Sequence, residues 1–426
     1  IVSRDWSSDV CSSDLYKLKF LKADWVLTCD DEFSIIKDGG VVFEDKIVDI
    51  NCASVLEEKY SNLDVEYCGK NSVLMPGLIN SHVHLEFSGN KTTLKYGNFL
   101  DWLTSVIENR EELIEKATED LIDSELKAML KTGTTSIGAI SSYGFDMSSC
   151  IKTDMNVVYF TEVIGSKPDM IDTLFVDFKA KLESTKQNCS TNFIPAIAIH
   201  SPYSVHPFLI REVLKIAKEN DMPVSAHFQE SKSENDWLNY NKGSFISFFK
   251  NFLQQTTAVT KPNEFLSQFK GIENLSFTHC VEANAKELEQ IKDMNATIIH
   301  CPKSNRLLNN TSLNLNYLDD ISLAMGTDGL SSNNSLSLFD EMQSALFIHR
   351  TNDINDLSKR LLSASTNGGA KALGLNKGQV AKGKDADLIS FSLPDTCSEE
   401  DIATAVILHT KQVDKTYIQG KHIELS

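Results

Sequence analysis

The chain has 426 residues, 41% of them hydrophobic, with 59 acidic and 41 basic side chains and a net charge of −18. That length holds a barrel plus a small second domain, and no apolar run reaches the roughly 18 residues a membrane helix needs. The acidic balance argues against nucleic acid as a partner, because phosphate contact calls for a basic face; nine cysteines without a CxxC pair read as reduced thiols of a cytoplasmic protein.

Ile1–Leu15 carries a Ser-Ser-Asp repeat at Ser7–Asp9 and Ser12–Asp14, with no Met and no charged-then-apolar leader. It resembles a translated adapter remnant and is expected to be a non-native extension. From Tyr16 onward short strands follow. Lys17–Thr28 is apolar-rich, and Gly40–Ile50 alternates around an Asp45-Lys46 turn, as a hairpin does. Asp385–Phe391 and Val413–His422 have the same character at the far end. Residues 16–75 and 380–426 together are expected to form one small β-sandwich.

The middle, 76–379, alternates strand and helix. Apolar runs occur at Ser72–Asn80, Thr134–Ala139, Asn156–Phe160, Phe193–His200, Pro223–His227, Leu275–His279, Ala296–Cys301 and Ile321–Gly326. Helical patterns lie between them, at Glu111–Lys131, Pro207–Asn220, Ala283–Met294 and Leu336–His349. Eight strands each followed by helix predict an α/β fold, a (β/α)8 TIM barrel, ahead of an open doubly wound sheet.

In such barrels the chemistry sits where the strands end. His82 and His84 stand two apart, so a strand puts both imidazoles on one face. Later runs end in Glu162, His200, His227 with Glu230, His279, His300 and Asp328. Six of the ten histidines fall at these ends, and six with Asp328 point to metal-assisted hydrolysis. His206, His349, His409 and His422 carry no motif and read as surface or structural. Cys280 and Cys301 lack a partner base and read as packing.

The stretches Pro76–His84, His227-x-x-Glu230, His279-Cys280, Cys301-Pro-x-Ser-Asn305 and Gly326-Thr-Asp328-Gly-x-x-Ser-Asn333 occur in this order. Together they resemble the amidohydrolase superfamily in its deaminase and chlorohydrolase branch, over roughly Tyr16 to Ser426. The resemblance implies a metal-bearing barrel with a β-sandwich built from both termini. It implies His82, His84, His227 and Asp328 as ligands of one divalent ion, Zn²⁺ first and Fe²⁺ second. His200 stands where two-metal relatives carry a carboxylated lysine, hence one metal. Glu230 would be the general acid–base, His279 would orient the attacking water, and Asp328 would pass a proton to departing ammonia.

Substrate contacts implied by the resemblance are His200, Glu230, Ser331 and Glu108, with Glu111 as the near alternative; Ser331 otherwise hydrogen-bonds Asp328 or closes a turn. Glu86, Glu162 and His300 line the pocket or serve the core. The segment Leu85–Leu103 looks close to the aminofutalosine deaminases of Campylobacter- and Helicobacter-like bacteria. The expected reaction is deamination of 6-amino-6-deoxyfutalosine to futalosine, on the menaquinone route. Arg110 and Lys167 are the cations considered for that substrate's carboxylate. The alternatives are deaminases of S-adenosylhomocysteine, methylthioadenosine or adenosine, another aminohydrolase or chlorohydrolase of the branch, and remotely a metal-free binding module. The expected partner is a small aminopurine nucleoside, with neither nucleic acid nor membrane, and a homo-oligomer is left open.

Overall fold

Gly77 divides the chain between two sheets. The computed structural model describes residues 18–425 except 91 and 319, so the expectation for Ile1–Leu15 lies outside the described residues. Before Gly77 come β1 (Lys19–Leu27), β2 (Ile35–Phe43), β3 (Ile47–Cys52), β4 (Val65–Tyr67) and β5 (Ser72–Pro76). After it come the barrel strands β6 (Leu78–Val83), β7 (Thr134–Ser141), β8 (Asn156–Val163), β9 (Phe193–Ile199), β10 (Val224–Phe228), β11 (Leu275–His279), β12 (Thr297–His300) and β13 (Ser322–Met325). The chain then returns through β14 (Leu388–Ser392), β15 (Lys415–Ile418) and β16 (Lys421–Ile423).

The expected single run Ser72–Asn80 is therefore two strands. Gly77 N donates to Asp387 O at 2.9 Å, while Leu78 N donates to Gly133 O at 2.9 Å, so neighbouring residues join different sheets. A Cβ at Gly77 would run into the Thr135 side chain, so only glycine lets the strand change sheets here. The helical pattern at Glu111–Lys131 likewise splits, into Arg110–Lys116 and Glu119–Lys131. Thr118 caps the second piece, its side chain accepting from Leu121 N.

The terminal sheet runs β16-β15-β14-β5-β1-β2-β3, with β4 also on β1. It folds back over itself: Phe43 of β2 meets Tyr417 of β15 edge-on at 5.3 Å, although three strands lie between them in the sheet. Leu21, Val41, Leu74 and Leu388 fill the space enclosed.

In the barrel every neighbouring pair from β6 to β13 is parallel. Parallel strands covered on both faces become unbroken apolar runs, and β7 and β8 are buried along their whole length. Between β13 and β6 the ring is closed by end groups. Thr327 N and Asp328 N both donate to His82 O, at 3.1 and 3.0 Å. The Asn80 side chain donates to Thr327 Oγ1 at 2.7 Å and accepts from Thr327 N at 3.1 Å. Gly326 makes this approach feasible, since a Cβ there would stand 2.9 Å from His82 Cβ.

The outer helices follow their apolar stripes. Pro207–Glu219 buries Leu209, Ile210, Val213, Leu214 and Ala217 and is capped by His206, whose ring accepts from Phe208 N. At the seam with the terminal sheet, Lys377 is 3% exposed and pairs with Asp387 at 2.7 Å. Asp387 also accepts from Asn156 Nδ2 and Gln419 N, each at 2.8 Å. A buried pair is tolerated when its remaining lone pairs are satisfied in this way. Among the described residues, no helix is long and apolar enough to cross a membrane.

Candidate active site

At the rim, side chains from the ends of β6, β10, β11 and β13 converge. His82 is the penultimate residue of β6 and His84 follows the strand, His227 lies in β10, His279 ends β11, and Asp328 follows β13. Their nitrogen atoms meet: His84 Nε2 is 3.1 Å from His82 Nε2 and 3.3 Å from His227 Nε2. Asp328 Oδ1 stands 3.7 Å from His82 Nε2 and 3.5 Å from His84 Nε2.

This donor set fits a metal ion. Ligand nitrogens about 2.0–2.1 Å from a tetrahedral centre lie about 3.3 Å apart, close to the spacing seen. The outward atoms are pinned. His227 Nδ1 is 2.6 Å from His200 O, which can only accept, so His227 turns a lone pair inward at Nε2. His82 Nδ1 is 3.2 Å from Thr278 Oγ1. Asp328 Oδ2 accepts from Ser304 Oγ at 2.6 Å and Ser332 Oγ at 2.8 Å, leaving Oδ1 to face the imidazoles. Such outer partners set the tautomer and aim of metal ligands. Burial, and then the neighbouring His82, push the His84 imidazole down to about 3. Burial drives His227 well below its usual range as well. Neutral imidazoles are the form that binds cations.

Beside this cluster Glu230 Oε1 is 3.5 Å from His279 Nε2. Burial raises the Glu230 carboxyl well above its usual range, with Asp328 and Glu234 adding to it, so Glu230 is set to hold a proton. Burial takes the His279 imidazole down to about 4. The backbone here is forced: Gln229, His279, Cys280 and Asp328 have φ of 49°, 75°, 50° and 59°. Non-glycine residues in the left-handed region cost about 1–3 kcal/mol each and gather at functional sites. Glu234 holds this geometry by accepting from Gln229 N at 3.0 Å and Glu230 N at 2.9 Å.

The cluster opens into a cavity of about 150 Å³, lined also by Phe87, Phe99, Trp102, Tyr143, Tyr203 and Glu162. His200 lines it with Nδ1 engaged 2.7 Å from Ser204 Oγ. Glu162 faces inward by strand alternation, since its neighbour Thr161 reaches Thr185 of the outer helix 171–187 at 3.1 Å. Larger clefts on the barrel flank, such as one of about 940 Å³ at Leu266–Asn274, gather no comparable set.

His82, His84, His200, His227, Glu230, His279 and Asp328 come together. Glu108 does not: it is exposed at the end of helix Phe99–Glu108. Phe99, Trp102, Leu103 and Val106 form the face that lines the cavity, and at 100° per residue Glu108 falls on the opposite side. Glu111 is exposed as well. Ser331 lines the cavity, but the hydroxyl on Asp328 belongs to Ser332. The Ser331 carbonyl accepts from Trp102 Nε1 at 2.9 Å instead. Glu86 serves the β7–β8 connection, accepting from the amides of Ser142, Tyr143 and Phe145. His300 pairs with His349, Nε2 to Nε2 at 2.9 Å, away from the cavity lining. Sequence reasoning passed over Ser304, Asn305, Thr278 and Glu234 as positioning groups. The Cys301-Pro-x-Ser-Asn305 text was the available signal for the first two.

The chain matches the amidohydrolase family over residues 73–423. It is 45% identical over 389 residues to an aminodeoxyfutalosine deaminase of Nitratiruptor sp., covering 91% of this chain and 96% of that protein. It is 35% identical over 412 residues to an adenosine deaminase of Helicobacter pylori, covering 95% and 99%. A crystal structure of Helicobacter pylori aminofutalosine deaminase with methylthio-coformycin superimposes with a TM-score of 0.91 at 35% identity, covering 95% of this chain and all of that one. The chain belongs to the amidohydrolase family, as a hydrolase of carbon–nitrogen bonds in cyclic amidines.

Proposed function

We propose that the chain deaminates 6-amino-6-deoxyfutalosine to futalosine and ammonia, in the cytoplasm and on the menaquinone route. The observation that carries this reading is the Glu230–His279 pair at 3.5 Å beside three converging imidazoles, inside an aromatic-lined cavity. The 45% identity to an aminodeoxyfutalosine deaminase supports the substrate. His82, His84, His227 and Asp328 would hold one divalent ion, Zn²⁺ first and Fe²⁺ second. When bound, such an ion supplies a Lewis acid that brings the pKa of a water to about 7.

The protein's own groups move the protons. Glu230 gives its proton to the ring nitrogen next to the amino-bearing carbon, so that carbon accepts the water oxygen. His279 Nε2 orients that water, and Asp328 takes one of its protons. Asp328 returns this proton to the amino group, which leaves as ammonia. The remaining hydroxyl proton goes back to Glu230 as the carbonyl forms, so both carboxyls end as they began. His200 and Ser331 are proposed to meet the purine nucleoside, and the aromatic wall excludes bulk water.

A second reading, adenosine or a 5′-substituted adenosine such as S-adenosylhomocysteine or methylthioadenosine, is favoured by two relatives, an adenosine deaminase and an enzyme complexed with methylthio-coformycin. Ammonia release from purified, metal-loaded protein decides between them. The panel is aminofutalosine, S-adenosylhomocysteine, methylthioadenosine, adenosine and guanine. The highest kcat/KM is expected for aminofutalosine. Turnover of guanine alone would refute both readings.

A further inference from the structure

A second cavity, of about 330 Å³, adjoins the site. The two share Ser142, Tyr143, Glu162 and Ile164 as lining, so a substrate held over the imidazoles has this space directly beside it. Its cations differ in availability. Lys181 is engaged, pairing with Asp177 at 2.8 Å and donating to Ser142 O at 3.1 Å. Arg110 has no carboxylate within ion-pair distance among the described residues; its guanidinium carbon lies 4.8 Å from the centre of the Tyr143 ring.

Beside Arg110 part of the wall is apolar and open. Tyr143 stacks on Phe145 at 5.5 Å and 17°, Phe145 is 56% exposed, and Ile164 is 40% exposed. At the junction, Glu162 is 4% exposed and its Oε1 has no hydrogen-bond partner. A buried oxygen without a partner costs about 1–3 kcal/mol unless something arrives to satisfy it. An aromatic shelf, an uncommitted guanidinium and an unpaired polar atom between them and the reaction centre together describe a ligand. It carries a polar group near the nucleoside, then a flat ring, then one negative charge. One uncommitted guanidinium, with Lys181 already paired to Asp177, matches a single negative charge.

We propose that this side cavity binds an arene carboxylate carried on the 5′ side of the substrate, with the ring against Tyr143 and Ile164 and the carboxylate on Arg110. A planar guanidinium can stack on Tyr143 with its face and still offer N–H donors at its edge. Lys167, the other cation considered from sequence, lines neither cavity. The proposal rests on the nucleoside-deaminase reading above and adds what would separate anionic 5′ substituents from neutral ones.

The test is the ratio of kcat/KM for 6-amino-6-deoxyfutalosine to that for 5′-methylthioadenosine, measured on metal-loaded, full-length protein. Arg110→Met should lower the ratio about tenfold, through KM of the carboxylate substrate, as loss of one charge-assisted contact does. Arg110→Lys should restore part of it, and Tyr143→Leu should lower it severalfold. A fall of less than threefold in Arg110→Met overturns the subsite. Wild-type protein that deaminates methylthioadenosine but not the carboxylate substrate overturns it too and leaves the deaminase reading standing. Wild-type protein that deaminates neither overturns both.

Discussion

Asn305 Oδ1 lies 2.9 Å from His279 Nδ1, both residues buried at the rim of the barrel. The same amide points Nδ2 toward His300 Nδ1 at 3.5 Å, and His300 Nε2 meets His349 Nε2 at 2.9 Å. One assignment satisfies the whole chain: His279 donates from Nδ1, Asn305 donates to His300, and His300 donates to His349. His279 is thereby left with Nε2 free to face the reacting water.

Asn305→Leu removes that acceptor while keeping the volume. Loss of an outer partner to a site residue typically costs 10–100-fold, and a drop in kcat of that order is expected, with metal content unchanged. Steady-state kinetics alongside metal analysis measure this. Wild-type kcat in the leucine variant would show that Asn305 does not position His279.

Glu230→Gln keeps the shape of the side chain and abolishes its proton. General acid–base groups contribute about 10²–10⁴-fold, so turnover should fall by that range with the metal still bound. The amides of Gln229 and Glu230 stay clamped by Glu234, so the fold should persist. Circular dichroism and bound-metal stoichiometry check the second half of the prediction.

His84 stands at the centre of the donor set, within 3.1–3.3 Å of two other imidazole nitrogens. His84→Ala should lose both metal and activity. A chelator should do the same to wild type and lower its melting temperature, because an ion that binds only the folded state stabilises it by mass action. Re-addition of Zn²⁺ or Fe²⁺ should restore wild type and not the variant. Full activity after exhaustive chelation would refute the metal assignment.

Asp146 lies outside the proposed machinery and carries a pH prediction. Burial, then the neighbouring Glu86, raise its carboxyl to about 7, although Ser141 Oγ and Tyr159 OH each donate to it at 2.7 Å. Its unfolded value is about 3.9. Between those values the folded state binds more protons than the unfolded, so stability falls as pH rises from about 4 to about 7. Asp146→Asn should flatten that part of the melting-temperature profile. An unchanged slope would mean that Asp146 ionises normally in the folded protein.

The barrel and most of the site were legible in the sequence because both rest on short-range rules. Strand alternation puts His82 and His84 on one face, and buried parallel strands declare themselves as apolar runs ending in polar residues. Local rules also explain the misplaced details. Glu108 sits in a helix whose phase, set by Phe99, Trp102 and Val106, turns it to solvent. Ser331 and Ser332 are adjacent, and only the turn after Asp328, with Asp328 itself at φ 59°, decides which hydroxyl reaches the carboxylate.

Sequence by itself determined which elements exist and which residue types stand at their ends, since periodicity and strand termination are properties of a few consecutive residues. Tertiary structure alone decided the relations across the barrel. Asn305 is 26 positions from His279, Thr278 is 196 from His82, and Asn80 is 247 from Thr327. It also decided that Arg110 is uncommitted beside the site while Lys181 is paired. Those distances depend on how eight strands close into a ring, and no local pattern carries that closure.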